Sequence, residues 1–266
     1  MTAGWAGGSV TTRAACVLAP NPGPMTLEGT NTWVLNEPGS VGCVVVDPGP
    51  DDEGHLRRVL GEVSERGSHV ETILLTHSHA DHAAGARRLS DLTGAPVRAG
   101  GTGPEDLSDG EQLSCGDLEL TVVTTPGHTG DSISFLLPAD NTLLTGDTVL
   151  GRGTTVVAHP DGRLAAYLQS LERIAAMTNS GDVETILPGH GPTVQHAAQA
   201  VWYYLEHRRE RLGQVRAALA DGARDADDVV ARVYADVPRE LRPAARLSVL
   251  AQLDYLHARG LSGRGA

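Results

Sequence analysis

Hydrophobic and polar positions along this chain switch between two periods. Short apolar and β-branched runs bounded by Gly, Pro, Asn or Asp predict strands over residues 11–18, 32–36, 43–46, 71–75, 96–99, 118–124, 132–137, 142–144 and 183–187. Glu37-Pro38-Gly39-Ser40 reads as a hairpin turn between the second and third of these. Helical spacing predicts helices over 52–65, where acidic residues suit the N-terminus, and over 83–92 and 162–176. Beyond 194 the strand pattern disappears, and residues 194–256 are helical in period, with breaks near 221–224 and at Pro238. The alternation of strands and helices predicts an α/β fold. The later change of pattern divides the chain into a domain over 1–198 and a small helical domain over 199–266.

The apolar run ending at Leu75 opens onto Thr76-His77-Ser78-His79-Ala80-Asp81-His82, the stretch richest in candidate chemistry. Imidazole nitrogen and carboxylate oxygen are the ligands preferred by zinc and similar divalent ions. Residues two apart on extended backbone point the same way, so His77 and His79 can close on one ion from the strand end. Asp81 and His82 are adjacent, so their side chains diverge and can serve a second ion. Three further candidates follow strand-like runs and sit among turn residues: His128 after Pro126-Gly127, Asp147 after Thr145-Gly146, and His190 after Pro188-Gly189. Gly and Pro let the backbone turn sharply there and present a ligand at a strand tip.

Together these motifs resemble the metallo-β-lactamase superfamily over roughly residues 10–195. The resemblance implies an αββα sandwich with the metals at one edge. It implies His77, His79 and His128 on a first ion, Asp81, His82 and His190 on a second, and Asp147 bridging both. Asp47, in Val44-Val45-Val46-Asp47-Pro48-Gly49, matches a carboxylate that orients a ligand histidine from behind; a plain turn-forming Asp is the alternative. Within the superfamily, residues 21–33 and 145–157 resemble the β-lactamase-like protein 2 family, which joins the metal-binding domain to a small C-terminal winged-helix-like domain. Residues 260–266 are too short and small for a convincing β-wing.

Composition narrows the class. Forty per cent hydrophobic residues and 32 glycines fit a loop-rich α/β protein rather than a disordered chain. No apolar stretch approaches the roughly 18 residues of a membrane span, and the N-terminus lacks the charged start and apolar centre of a secretion signal. A cytoplasmic protein with no membrane partner is therefore expected, and the sequence is compatible with a homo-oligomer. Cys16, Cys43 and Cys115 read as small buried hydrophobes in a reducing compartment. Net charge is −12 and unevenly spread: residues 1–199 hold 10 Arg against 24 acids, residues 200–266 hold 11 Arg against 9, and there is no lysine. Only the C-terminal segment offers an electrostatic footprint for a polyanion.

A dinuclear site with a bridging carboxylate leaves room for a water-derived hydroxide near neutral pH, so a metal-dependent hydrolase needs no Ser or Cys nucleophile. Two divalent ions, zinc first among them, are the expected cofactors, and Asp81 and Asp147 the expected catalytic carboxylates. β-Lactam hydrolysis is disfavoured, because enzymes of that kind usually lack an aspartate at the bridging position. The 42 residues between Asp147 and His190 leave no space for the insertion of β-CASP RNA-processing enzymes. The β-lactamase-like protein 2 resemblance implies phosphodiester cleavage as the leading expectation, since that family includes an endoribonuclease acting on single-stranded RNA, with a glyoxalase-II-like ester or thioester hydrolase as the alternative. A mononuclear iron persulfide dioxygenase and a non-catalytic nucleic-acid-binding protein stand behind both. Substrate contacts are expected from Asn31, Arg152, Thr154 and Thr155, and, for phosphates, from Arg208, Arg209 and Arg211 on one helical stretch. His55, His69, His159, His196, His207 and His257 lack partner spacing and read as surface or packing residues.

Overall fold

A computed structural model describes residues 4–101 and 106–260. Its elements in chain order are β1 (Gly8–Ser9), β2 (Ala14–Leu18), β3 (Asn31–Leu35), β4 (Gly42–Val46), α1 (Glu53–Glu65), β5 (His69–Leu75), α2 (Ala80–Ala83), α3 (Ala86–Thr93) and β6 (Val97–Ala99). They continue with β7 (Gln112–Cys115), β8 (Leu118–Thr124), β9 (Ile133–Leu137), β10 (Thr142–Gly146), α4 (Leu164–Ser180), β11 (Thr185–Pro188), α5 (Ala197–Ala220), α6 (Ala226–Val233) and α7 (Arg242–Ala258). The first six strands form one sheet in sequence order, antiparallel up to β4 and parallel from β4 to β6. The other sheet runs β11-β10-β9-β8-β7 and is antiparallel except for the β10 and β11 pair.

Period-two alternation along these strands builds the layers. Trp33, Leu35, Val44, Val46 and Leu74 of one sheet meet Leu120, Phe135, Leu137 and Leu144 of the other in a shared core. Residues of opposite parity, Val34, Cys43, Val45 and Ile73, pack instead with Leu56 and Val59 of α1 and Leu89 of α3. On the far side, Leu143 and Ile186 pack with Tyr167 and Leu171 of α4 and Val201 and Tyr204 of α5. The architecture is the αββα sandwich. Helices α5 to α7 close a further small core of Val215, Val229, Val230, Val249 and Leu256. Among the described residues this C-terminal part contains no strand, and most of the segment 260–266 lies outside the described residues. The three cysteines are free and buried. No described helix is long and apolar enough to cross a membrane.

Two departures from the sequence expectation have local causes. The single helix expected over 83–92 is split in two at Gly85. The Gly85 N–H donates to Gly49 O, and a Cβ on Gly85 would sit 2.9 Å from Pro50 O. The interruption lets the loop after β4, which carries Asp47, approach closely. Strand β7 escaped notice because only Leu113 and Cys115 alternate inward, within a run otherwise made of Gln and Ser.

His55 gives the fold a pH dependence of its own. The ring is fully buried, 2.8 Å from Thr32 Oγ1. Burial, helped by Arg58, lowers its pKa to about 4. The unfolded chain takes up this proton below about 6.5 and the folded chain does not, so the contribution is complete above about 6.5 and lost as pH falls toward 4. Denaturant unfolding at pH 7 and pH 4.5 should show His55→Gln losing less stability on acidification than wild type, by up to about 2 to 3 kcal/mol. Equal losses would remove His55 from the acid response.

Candidate metal centre

Strand ends deliver the candidate ligands to one place. Asp47 follows β4, His77 follows β5, and His79 stands at the N-cap of α2, which carries Asp81 and His82. His128 lies in the turn after β8, Asp147 directly after β10, and His190 shortly after β11. His77, His79 and His128 bring one ligand atom each within 4.8 Å of one another, and so do Asp81, His82 and His190. Asp147 lies between the groups. Its Oδ1 is 3.4 Å from Nε2 of both His82 and His190, and its Oδ2 is 3.7 Å from His128 Nε2. The structure thus gathers all seven residues into one cluster.

The partners behind the rings determine which nitrogen faces the centre. His82 Nδ1 donates to Asp47 Oδ2 at 2.8 Å, His128 Nδ1 to Val156 O at 2.7 Å, and His190 Nδ1 to Gly29 O at 3.2 Å. The Thr76 hydroxyl donates to Asp47 Oδ2 at 2.7 Å and therefore accepts from His77 Nδ1 at 3.0 Å. These assignments leave the Nε2 lone pairs of four histidines pointing inward. His77 Nε2 and His128 Nε2 each lie 3.1 Å from His79 Nδ1, and the Nε2 atoms of His82 and His190 are 3.2 Å apart. Asp147 Oδ1 is buried without a hydrogen-bond partner. Inward lone pairs and an unpartnered anionic oxygen suit divalent cations, which replace the missing protons with charge.

Electrostatics agree. Burial, reinforced by the charge of His82, holds the His77 pKa well below its ordinary value. Burial likewise lowers His128, outweighing the pull of Asp147. At His82 burial opposes the charged ring, yet Asp147 and Asp47 together keep its pKa well above ordinary. His190 is raised to about 9 against burial by Asp147 and Asp81. Asp147 in turn stays ionised despite burial because His190 and His82 face it. The carboxylates demand positive charge that protons alone would place on two nitrogens aimed at each other.

Two glycines make the approach possible. A Cβ at Gly189 would lie 2.6 Å from both Asp147 Oδ1 and His82 Cε1. Gly146 has φ +48°, and a Cβ there would collide with Thr76 Oγ1. Side chains at either position would displace the cluster.

Beside the cluster opens a cavity of about 420 Å³ that reaches His79, Asp81, His128, Asp147 and His190. Pro24, Met25 and Leu27 line one side; Tyr234, Val237, Leu241 and Ala245, from the C-terminal helices and their connections, line another. Of the expected substrate contacts, Arg152, Thr154, Thr155, Arg208 and Arg211 line this cavity. Arg152 is ion-paired with Glu28, and Thr155 Oγ1 lies 3.2 Å from His128 Nδ1.

Two expectations are corrected. Asn31 is fully buried, donates to Pro188 O and Gly191 O, and accepts from Trp5 Nε1, so it fastens β3 to the His190 loop instead of facing substrate. Arg209 is exposed, pairs with Glu206, and is absent from the cavity wall, because adjacent helical residues point about 100° apart. Arg208 and Arg211 therefore share the cavity wall, and Arg209 does not. His207, read from sequence as surface or packing, lines the cavity. Thr76, Val156 and the C-terminal lining residues carried no sequence signal, since their roles arise from tertiary proximity.

A family model described as the metallo-beta-lactamase superfamily matches residues 25–103 and 100–190, and one described as the beta-lactamase associated winged helix domain matches 226–262. The beta-lactamase-like protein 2 homolog of Caenorhabditis elegans is 33% identical, over 86% of this chain and 79% of that protein. The atrochrysone carboxyl ACP thioesterase of Aspergillus fumigatus is 29% identical, over 86% of this chain and 76% of that protein. A crystal structure of a metallo-beta-lactamase family protein from Thermus thermophilus shares the fold, with a TM-score of 0.80 over 97% of both chains at 23% identity.

Proposed function

The chain belongs to the metallo-β-lactamase superfamily, and we propose that it is a dinuclear metal-dependent hydrolase of small ester or thioester substrates. In this reading His77, His79 and His128 would hold one ion, Asp81, His82 and His190 would hold the other, and Asp147, lying between the two groups, would serve both. Two bound divalent ions, zinc above all, would lower the pKa of a bound water and polarise the carbonyl under attack. Asp81, kept ionised despite burial by His190 and His82 and lining the cavity, would be placed to orient an attacking water. Val156 O and Thr155 fix the His128 ring, and Asp47 with Thr76 fixes His82 and His77. We place the domain boundary near residue 198, at the start of α5.

The observation that carries the substrate class is the cavity. It is a chamber of small-molecule size, in which apolar side chains from two parts of the chain (Pro24, Met25, Leu27, Val237, Leu241 and Ala245) stand beside Arg152, Arg208, Arg211 and the candidate metal ligands. A strand of RNA calls for a groove with cations and stacked aromatic rings along its path. The exposed aromatics Trp202 and Tyr203 do not line the chamber, and Arg209 points elsewhere. The thioesterase among the relatives supports the same choice.

Two experiments test this. Elemental analysis of protein purified without chelator should find close to two divalent ions per chain. One tight ion with full activity and no response to a second would refute the dinuclear reading. Metal-replete protein should hydrolyse members of a thioester and ester panel, lose that activity to a chelator, and regain it with zinc. Cleavage of single-stranded RNA without turnover of any thioester or ester would overturn the substrate class.

A further inference from the structure

The cavity wall supplied by α5 carries two arginines, Arg208 and Arg211. Arg208, 4% exposed, donates from Nη2 to Thr155 O at 2.5 Å, and its guanidinium lies 4.9 Å over the Tyr167 ring. Its Nε is buried and has no hydrogen-bond partner. Arg211, one turn on, donates from Nη1 to Gln214 Oε1 and Val233 O and lies 4.9 Å over the Tyr234 ring. Both line the cavity. By contrast Arg152, on the same cavity, pairs with Glu28, and Arg209, on the same helix, pairs with Glu206. Neither Arg208 nor Arg211 makes an ion pair among the described residues. His207 stands on the same wall with a buried, unpartnered Nδ1.

A guanidinium buried without a counter-ion is a state that folded proteins avoid. Here tyrosine rings hold the two guanidinium planes by their faces and leave N–H edges unconsumed. Such edges match the two oxygens of a carboxylate or a phosphate. The same cavity reaches the candidate metal-binding residues, so an anion on this wall would share the chamber with the reacting end of the same small molecule.

We propose that Arg208 and Arg211 form a recognition wall for an anionic group on the non-reacting end of the substrate. The anion is either a carboxylate on the acyl chain or a phosphate on the alcohol or thiol that leaves. This proposal rests on the small-substrate reading above. A fully neutral substrate would leave both cations without a counter-charge.

Matched substrate pairs that differ in charge test it on the metal-loaded protein. One pair is a glutaryl and a hexanoyl thioester of the same neutral thiol; the other is one acyl group on a thiol with and without a phosphate monoester. The anionic member of one pair should have a kcat/KM higher by at least about tenfold, carried by KM, and which pair responds tells carboxylate from phosphate. R208Q and R211Q should abolish that preference, while R209Q keeps it. Because Arg208 also holds Thr155, R211Q at its half-buried position carries the test if R208Q fails to fold. Titration calorimetry with glutarate and with inorganic phosphate adds a readout independent of turnover, with binding expected to weaken at least about tenfold in R211Q. Preference in neither pair, or anion binding equal in wild type and R211Q, would overturn the proposal. Arginine-dependent anion binding in a protein that hydrolyses no ester or thioester would instead sink the small-ester reading and leave the wall standing.

Discussion

Asp147→Asn is expected to lower turnover by at least about a hundredfold and to reduce bound metal from about two ions toward one. The amide is nearly the same size as the carboxylate, so the geometry around it survives. What disappears is the charge. Oδ1 of Asp147 faces the Nε2 atoms of His82 and His190 at 3.4 Å, while Oδ2 faces His128 at 3.7 Å. A carboxylate can offer an anionic oxygen to each side, and an amide offers one neutral oxygen and an N–H₂ group that repels a cation. The fold should persist, because β10 is anchored by Leu143 and Leu144 in the two adjoining cores rather than by its tip. Metal analysis, circular dichroism and kcat/KM on the best thioester of the panel check the three parts separately. Wild-type turnover in folded, fully metal-loaded D147N would remove the carboxylate from the mechanism.

The chemistry of this site was legible because it is written at strand tips. Short apolar runs locate β5, β8, β10 and β11, and in each case a candidate ligand follows within four residues of the strand end. Spacing alone therefore sorted His77 with His79 and separated them from Asp81 and His82. Partner choice was less legible. Thr76 links His77 to Asp47 only because β4 and β5 are adjacent parallel strands whose ends coincide. Nothing local marks a threonine for that task.

The cavity was illegible for a stronger reason. Its lining joins residues 24–27 to residues 234–248, a contact created by packing the C-terminal helices over the metal edge. Sequence showed that His207, Arg208, Arg209 and Arg211 share a helix but not which way it faces. A five-residue charged run has no apolar stripe of its own to set the rotation. Tyr204 and Leu205 set it, by burying themselves against the sandwich, and so turn Arg208 inward and Arg209 outward. The same packing explains why a row of arginines suited to phosphates on paper becomes two cations facing the cavity.

Asp47→Asn separates the two readings of Asp47, a carboxylate that orients ligands and a turn residue before Pro48-Gly49. Asp47 adopts φ +51°, a left-handed conformation that Asn tolerates as well as Asp does, so backbone strain does not confuse the comparison. Its Oδ1 accepts from Thr76 N at 2.8 Å, and its Oδ2 accepts from the Thr76 hydroxyl at 2.7 Å and from His82 Nδ1 at 2.8 Å. All three groups are donors, and the side chain is buried. An amide can keep the bond to Thr76 N with its oxygen, but its N–H₂ then confronts the other two donors. Relief requires the His82 ring to accept at Nδ1, which moves the proton to Nε2, the nitrogen aimed at the metals. Because Asp47 meets His82 through Nδ1, it acts on the centre from behind the ring. Metal affinity, measured by competition with a chromophoric chelator, should fall about ten- to a hundredfold in D47N while the circular dichroism spectrum stays native. Asp47→Ala should add a stability loss of about 1 to 3 kcal/mol, since it strands the buried Thr76 N–H with no acceptor. Wild-type affinity for both ions in folded D47N would return Asp47 to the role of a turn residue.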